Sequence, residues 1–232
     1  MSPEGMGDRL RVAVLASGRG SNLQALLDAA REPSFPAKMV CVFSDKSDAP
    51  ALDRARKAGM LARWVDPSGD GYENRLAREI EAENCGLICC AGYMRILSPE
   101  FVARFSGRII NIHPSLLPSF PGLHAQRKAL RARVRIAGCT VHYIDEGVDT
   151  GPIILQAAVP VLSDDDEDTL SARILGFEHQ IYPLAVSLIA EGKVRLEKNR
   201  VCLENMHEGV VDGFWSPPTG LSPSSRQGSR LI

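Results

Sequence analysis

The chain has no Cys-x-x-Cys pair, no His-Glu-x-x-His, almost no net charge, and no apolar run near the ~20 residues that cross a bilayer. Each absence excludes a class. A formal charge of -1 removes a general nucleic-acid or membrane-surface binder. The N-terminus lacks the apolar core of a secretory signal. Cysteines at 41, 85, 89, 90, 139 and 202 are scattered, several inside apolar runs where a free thiol packs as a small hydrophobe. No cysteine-built metal site is expected, and the chain reads as cytoplasmic with reduced thiols. Five histidines without a metal-spaced pair argue against a metallohydrolase. What is present suffices for one domain: 232 residues, 44% hydrophobic and 24% charged.

Short apolar runs alternate with segments of helical spacing. Leu10–Ala16, Met39–Ser44, Arg63–Val65, Leu87–Ala91 and Arg108–His113 read as strands. Leu23–Ala30, Ala49–Ala58, Tyr72–Asn84 and Pro99–Phe105 read as the helices between them. A further helix is expected over Gln126–Ala132, then strands Gly138–Tyr143 and Ile153–Val161. A long helix follows over Thr169–Glu191, its N-terminus favoured by the acidic block Asp164–Asp168. This pattern implies an α/β fold: a single Rossmann-like domain with a mostly parallel central sheet flanked by helices. Residues 1–9 form an N-terminal extension and 10–200 the domain. Residues 201–232, rich in Ser, Pro and Gly beyond 212, are expected as a loosely attached or partly disordered tail.

The most informative stretch is Ile109-Ile110-Asn111-Ile112-His113-Pro114-Ser115-Leu116-Leu117-Pro118. Residues two apart on a strand share a face, so Asn111 and His113 project together, opposite Ile110 and Ile112. An amide donor beside a titratable imidazole suits a carbonyl that must be polarised while a proton moves. Downstream, Asp145-Glu146-Gly147-Val148-Asp149-Thr150-Gly151-Pro152 offers three carboxylates in one loop. An acid beside His113 favours the imidazolium and raises its pKa. Spacing does not choose among Asp145, Glu146 and Asp149. His142 either lines the same cleft or packs on the sheet.

The first strand ends in Gly18-Arg19-Gly20-Ser21-Asn22. Strand–Gly-x-Gly–helix, with Asp45 after the next strand, invites a dinucleotide site and an NAD-dependent oxidoreductase. Leu23 occupies the third glycine position of that fingerprint, against it. What remains is a turn whose backbone N–H groups, hydroxyl and amide suit one phosphate monoester at Gly20, Ser21 and Asn22. The alternative is a structural turn with Ser21 or Asn22 as helix cap. The loop alone leaves both open.

Taken together, Ala16–Ala25, Ala91–Pro99, Asn111–Pro118 with Pro121-Gly122-Leu123-His124, Asp149–Ile154 and Glu178–Pro183 resemble the glycinamide ribonucleotide transformylase family. These enzymes are also called phosphoribosylglycinamide formyltransferases. The matches run in order from about Leu10 to about Leu196. The resemblance implies the formyltransferase fold. It also implies transfer of a formyl group from 10-formyltetrahydrofolate to the amine of 5-phosphoribosyl-glycinamide, in de novo purine (IMP) synthesis. It assigns Asn111, His113 and Asp149 to catalysis, with Asp149 raising the pKa of His113. Gly20, Ser21 and Asn22 would hold the substrate phosphate, and Glu178 the ribose. Met94, Arg95, Ile96, Leu97, Val102 and Asn111 would line the folate site. No metal is implied, and both partners are small molecules acting on a monomer or homodimer. Where the family often has a folate-contacting Arg, the shorter loop Pro67–Tyr72 offers Gly69, and Arg75 is the nearest substitute. A formyltetrahydrofolate deformylase would share the Asn and His but would carry a further N-terminal domain. A formyltransferase for initiator tRNA would need a C-terminal RNA-binding domain and more positive charge.

Overall fold

In β1 (Leu10–Leu15), Val12 and Val14 point to one face of the sheet and Ala13 and Leu15 to the other, all four fully buried. That is the period-2 alternation of a strand covered on both sides. The computed structural model describes residues 9–198 and 200–204, together with the backbone of 210–211 and 214–215. After β1 come α1 (Ser21–Ala30), β2 (Ala37–Ser44), α2 (Pro50–Lys57), β3 (Leu61–Trp64) and α3 (Tyr72–Ala82). Next are β4 (Leu87–Cys90), α4 (Pro99–Arg104), β5 (Ile109–His113), α5 (Ala125–Arg131), β6 (Ile136–Tyr143), β7 (Ile153–Pro160) and α6 (Glu167–Ala190). A hairpin, β8 (Val194–Glu197) with β9 (Arg200–Leu203), and the two-residue strands β10 (Val210–Val211) and β11 (Phe214–Trp215) follow.

The sheet runs β10-β11-β7-β6-β5-β4-β1-β2-β3. Strands β1 to β5 are parallel, while β6 is antiparallel to both β5 and β7. The expected mostly parallel sheet is therefore present, with β6 and the edge strand β10 reversed. α1, α2 and α6 cover the face that receives Val12, Val14, Ile110 and Ile112. α3 and α4 cover the face of Ala13, Leu15, Phe43 and Ile109. Each large apolar side chain buried in these layers contributes about 1.5–3 kcal/mol.

The acidic block serves α6. Asp166 caps it and forms a reciprocal box with Thr169, and Asp165 grips Arg173 through two bonds of 2.6 and 2.7 Å. From the same helix the Tyr182 hydroxyl donates to the carbonyls of Cys90 (2.9 Å) and Ile110 (3.3 Å), tying α6 to the two central strands. The segment expected as a tail contributes strand pairing: β9 pairs with β8, and Phe214 and Trp215 pair with Gln156 and Ala157 of β7. The other tail positions, and residues 1–8 of the expected extension, lie outside the described residues.

Candidate active site

Leu15, Cys90, Asn111 and His142 are register partners across β1, β4, β5 and β6. Ile110 and Ile112 pack toward α6, so Asn111 and His113 project from the opposite face, where His142 and Thr140 also lie. His142 Nδ1 is 2.8 Å from the Tyr143 carbonyl and must donate to it. Burial holds this ring neutral by pushing its pKa down. Its Nε2 lone pair then accepts from the Asn111 amide at 3.2 Å, which anchors that amide. His142 therefore belongs to the cleft. Its cross-strand pairing with Asn111 was the missing signal, because sequence alone does not give the strand register.

His113 is almost fully buried. Its Nδ1 is 3.2 Å from Asp149 Oδ2 and its Nε2 is 3.0 Å from the Phe120 carbonyl oxygen. Both neighbours are acceptors, so an N–H on either ring nitrogen finds a partner. The Gly122 N–H donates to the same Asp149 oxygen at 2.7 Å, while Oδ1 lies 3.7 Å from His142 Nε2. Asp149 reaches this position in the left-handed region, φ 55°, as does Phe120 at φ 56°. Backbone of this kind at a non-glycine residue is stored strain typical of functional loops.

The three carboxylates separate by geometry. Asp145 accepts from Gly147 N–H (3.1 Å) and Thr150 Oγ (2.7 Å) within its own loop, Glu146 is exposed, and Asp149 meets His113. Because β6 runs against β5, this loop leaves the sheet beside Ile109 and Ile110, and its Asp149 folds back to His113. Gly151 permits the fold-back: a Cβ there would stand 1.9 Å from the Tyr143 carbonyl oxygen.

At the glycine turn, Gly20 has φ 71° and forms the α1 N-cap without a side-chain bond, so neither Ser21 nor Asn22 is the cap. The first-turn N–H groups stay available for an anion. α2 packs directly beneath: a Cβ on Gly20 would stand 2.8 Å from that of Ala51. Arg54 supports the turn through Arg19 O (2.8 Å) and Gln24 Oε1 (3.1 Å). Leu23 is buried in the core. The Asn22 amide does not face the turn. It donates to Glu178 Oε2 at 2.7 Å, both residues being over nine-tenths buried. Burial raises the Glu178 carboxyl pKa, partly offset by the Asn22 bond.

On the other side, Met94 and Ile96 are 60% and 78% exposed, Arg95 is exposed too, and Leu97 and Val102 are buried with Phe101. Ser17 binds this loop to the first, accepting from Met94 N–H at 2.9 Å. Arg95 stacks over the Tyr72 ring at 5.1 Å. Arg75 is engaged with the carbonyls of Asp66, Ser68 and Asp70 of its own loop, so it is no substitute for a ligand-facing cation. A cavity of about 600 Å³ opens beside Ser21, Arg54 and His179, and another of about 440 Å³ beside Gly69, Tyr72 and Arg95. Burial pushes the Cys90 thiol up to about 12 and Cys89 further, so neither is a nucleophile at neutral pH. Among the described residues no three His, Cys, Asp or Glu side chains gather to hold a metal ion, and no helix is long and apolar enough to cross a membrane.

The pattern of the formyl transferase family matches residues 10–186. The chain belongs to this family. Within it, a phosphoribosylglycinamide formyltransferase of Escherichia coli is 42% identical over 92% of this chain and 99% of its own length. A trifunctional purine biosynthetic protein of Drosophila pseudoobscura is 52% identical over 81% of this chain, which spans only 14% of that longer protein. A glycinamide ribonucleotide transformylase structure from Symbiobacterium toebii superposes with TM-score 0.82 at 49% identity, covering 88% of this chain and 97% of that one. A formyltetrahydrofolate deformylase of Pseudomonas syringae is more distant: TM-score 0.77, 26% identity, 85% of this chain and 67% of the other.

Proposed function

We propose that the chain transfers the formyl group of 10-formyltetrahydrofolate to the primary amine of 5-phosphoribosyl-glycinamide in purine synthesis. The observation that carries this reading is the cluster of Asn111, His113 and Asp149, with His113 Nδ1 3.2 Å from Asp149 and the Asn111 amide held by neutral His142. The unprotonated amine attacks the formyl carbon and gives a tetrahedral oxyanion. Asn111 donates to that oxygen, and the His113 Nε2–H exchanges the Phe120 carbonyl for it. Preorganised donors of this kind are worth ~3 kcal/mol each to the transition state. Asp149 balances the imidazolium, and a proton passes from the attacking nitrogen to N10, which leaves as the reduced folate amine. A protonated amine is an adequate leaving group without metal or covalent help.

The free N–H groups at Gly20–Asn22 suit the substrate phosphate, and Glu178 suits the ribose hydroxyls. Met94, Arg95 and Ile96 offer an open apolar and cationic rim to the folate, with Leu97 and Val102 as the wall behind. This small-molecule chemistry fits a cytoplasmic monomer or homodimer. The test mixes the protein with both substrates and follows deformylated folate. Deformylation that requires the ribonucleotide supports the transferase; equal deformylation without it would make the protein a hydrolase.

A further inference from the structure

Asn22 occupies the second position of α1, where its backbone N–H faces the phosphate turn while its side chain turns inward. The amide nitrogen is 2.7 Å from Glu178 Oε2, across α1 and α6, in the buried layer between them. The amide oxygen is buried and, among the described residues, has no hydrogen-bond partner. A buried orphan oxygen costs stability, and such groups in a native fold call for a functional reason. Asn22 also supplies the one hydrogen bond that the Glu178 carboxylate makes among the described residues. Without that donor, nothing polar offsets the burial that favours the neutral acid. An oriented carboxylate is what a pair of ribose hydroxyls would need as an acceptor.

We infer that the Asn22 side chain is a positioning residue for Glu178, and that it reads the ribose through this carboxylate and not the phosphate. Ser21 and the backbone N–H groups of the turn read the phosphate. One residue thus joins two halves of the substrate site, its main chain serving one and its amide the other. The inference rests on the assignment of Glu178 to the ribose.

The test compares wild type with Ser21→Ala, Asn22→Ala, Glu178→Gln and the Asn22→Ala/Glu178→Gln pair. It measures the KM of the ribonucleotide, the inhibition constant of unphosphorylated glycinamide riboside, and that of inorganic phosphate. Loss of a hydrogen bond to a charged group predicts that Asn22→Ala raises the first two constants together, roughly tenfold or more, with little change in kcat. The phosphate constant stays fixed. Adding Asn22→Ala to Glu178→Gln costs little further. Ser21→Ala shows the reverse pattern, weakening phosphate and leaving the riboside alone. Weaker phosphate with unchanged riboside in Asn22→Ala would overturn the inference, as would independent, multiplying losses in the pair. Asn22→Asp, which keeps the volume but replaces the donor, must weaken the riboside at least as much and serves where the alanine variant fails to fold. Unchanged riboside in Glu178→Gln defeats the ribose assignment itself, and absent formyl transfer by wild type defeats the enzymatic reading.

Discussion

The site holds two carboxylates in opposite circumstances, Asp149 half-buried and Glu178 buried. Asp149 sits on a loop residue with left-handed backbone, and its Oδ2 meets the His113 ring at 3.2 Å and the Gly122 N–H at 2.7 Å. Glu178 sits on a 24-residue helix and has one donor, Asn22, with burial pushing its carboxyl pKa upward. The difference separates two uses of the same functional group. An acid held between a ring nitrogen and a backbone N–H is placed to stabilise a neighbouring cation. An acid left short of donors costs stability and keeps capacity for a ligand.

The largest effect expected from breaking this contrast is at the acid beside His113. Asp149→Ala and His113→Ala should each lower turnover by roughly 10²–10⁴ with normal folding, and near-wild-type rates in either would remove it from the chemistry. Glu178→Gln should instead leave turnover largely intact and raise the substrate KM roughly tenfold. If both acids gave the same kinetic pattern, the distinction drawn here would collapse. Gly151→Ala probes how Asp149 is delivered. Its Cβ would collide with the Tyr143 carbonyl, so stability should fall by roughly 1–3 kcal/mol in denaturant melts and turnover should fall with it.

Two smaller effects concern pH. The His142 pKa is depressed in the fold, so the native state binds fewer protons than the unfolded chain below the ordinary value of ~6.5. Stability should therefore be complete above that pH and erode on acidification, and His142→Phe should flatten the slope between melts at about pH 7.5 and about pH 5.5. A parallel slope in the variant would exonerate this ring. The Glu178 pKa is raised, and the sign reverses. Above the ordinary carboxyl value of ~4.3 the native state retains its proton longer than the unfolded one, and stability declines as pH climbs through the raised pKa. Glu178→Gln should thus melt at a higher temperature than wild type at neutral pH while binding substrate worse.

Much of this was legible in the sequence. Helix and strand periodicity placed the elements within a residue or two, since amphipathic patterns report burial directly. The two-residue spacing of Asn111 and His113 gave their shared face. What failed to show was whatever depends on partners far away in the chain. The reversal of β6 and the inclusion of His142 follow from register, and the choice among Asp145, Glu146 and Asp149 from how their loop folds back, neither of which a local pattern encodes. The Asn22 amide was assigned to the turn beside it because proximity in sequence hid Glu178, 156 positions away. Arg75 misled for the opposite reason: a cation at the right place had already been claimed by its own loop.

The register row through Leu15, Cys90, Asn111 and His142 has one more implication. Strands β5 and β6 must pair in this register before the Asn111 amide is immobilised by His142. No excised half should show even weak turnover, and in a refolding time course the return of catalysis should trail the return of secondary structure, marking the moment those two strands lock in.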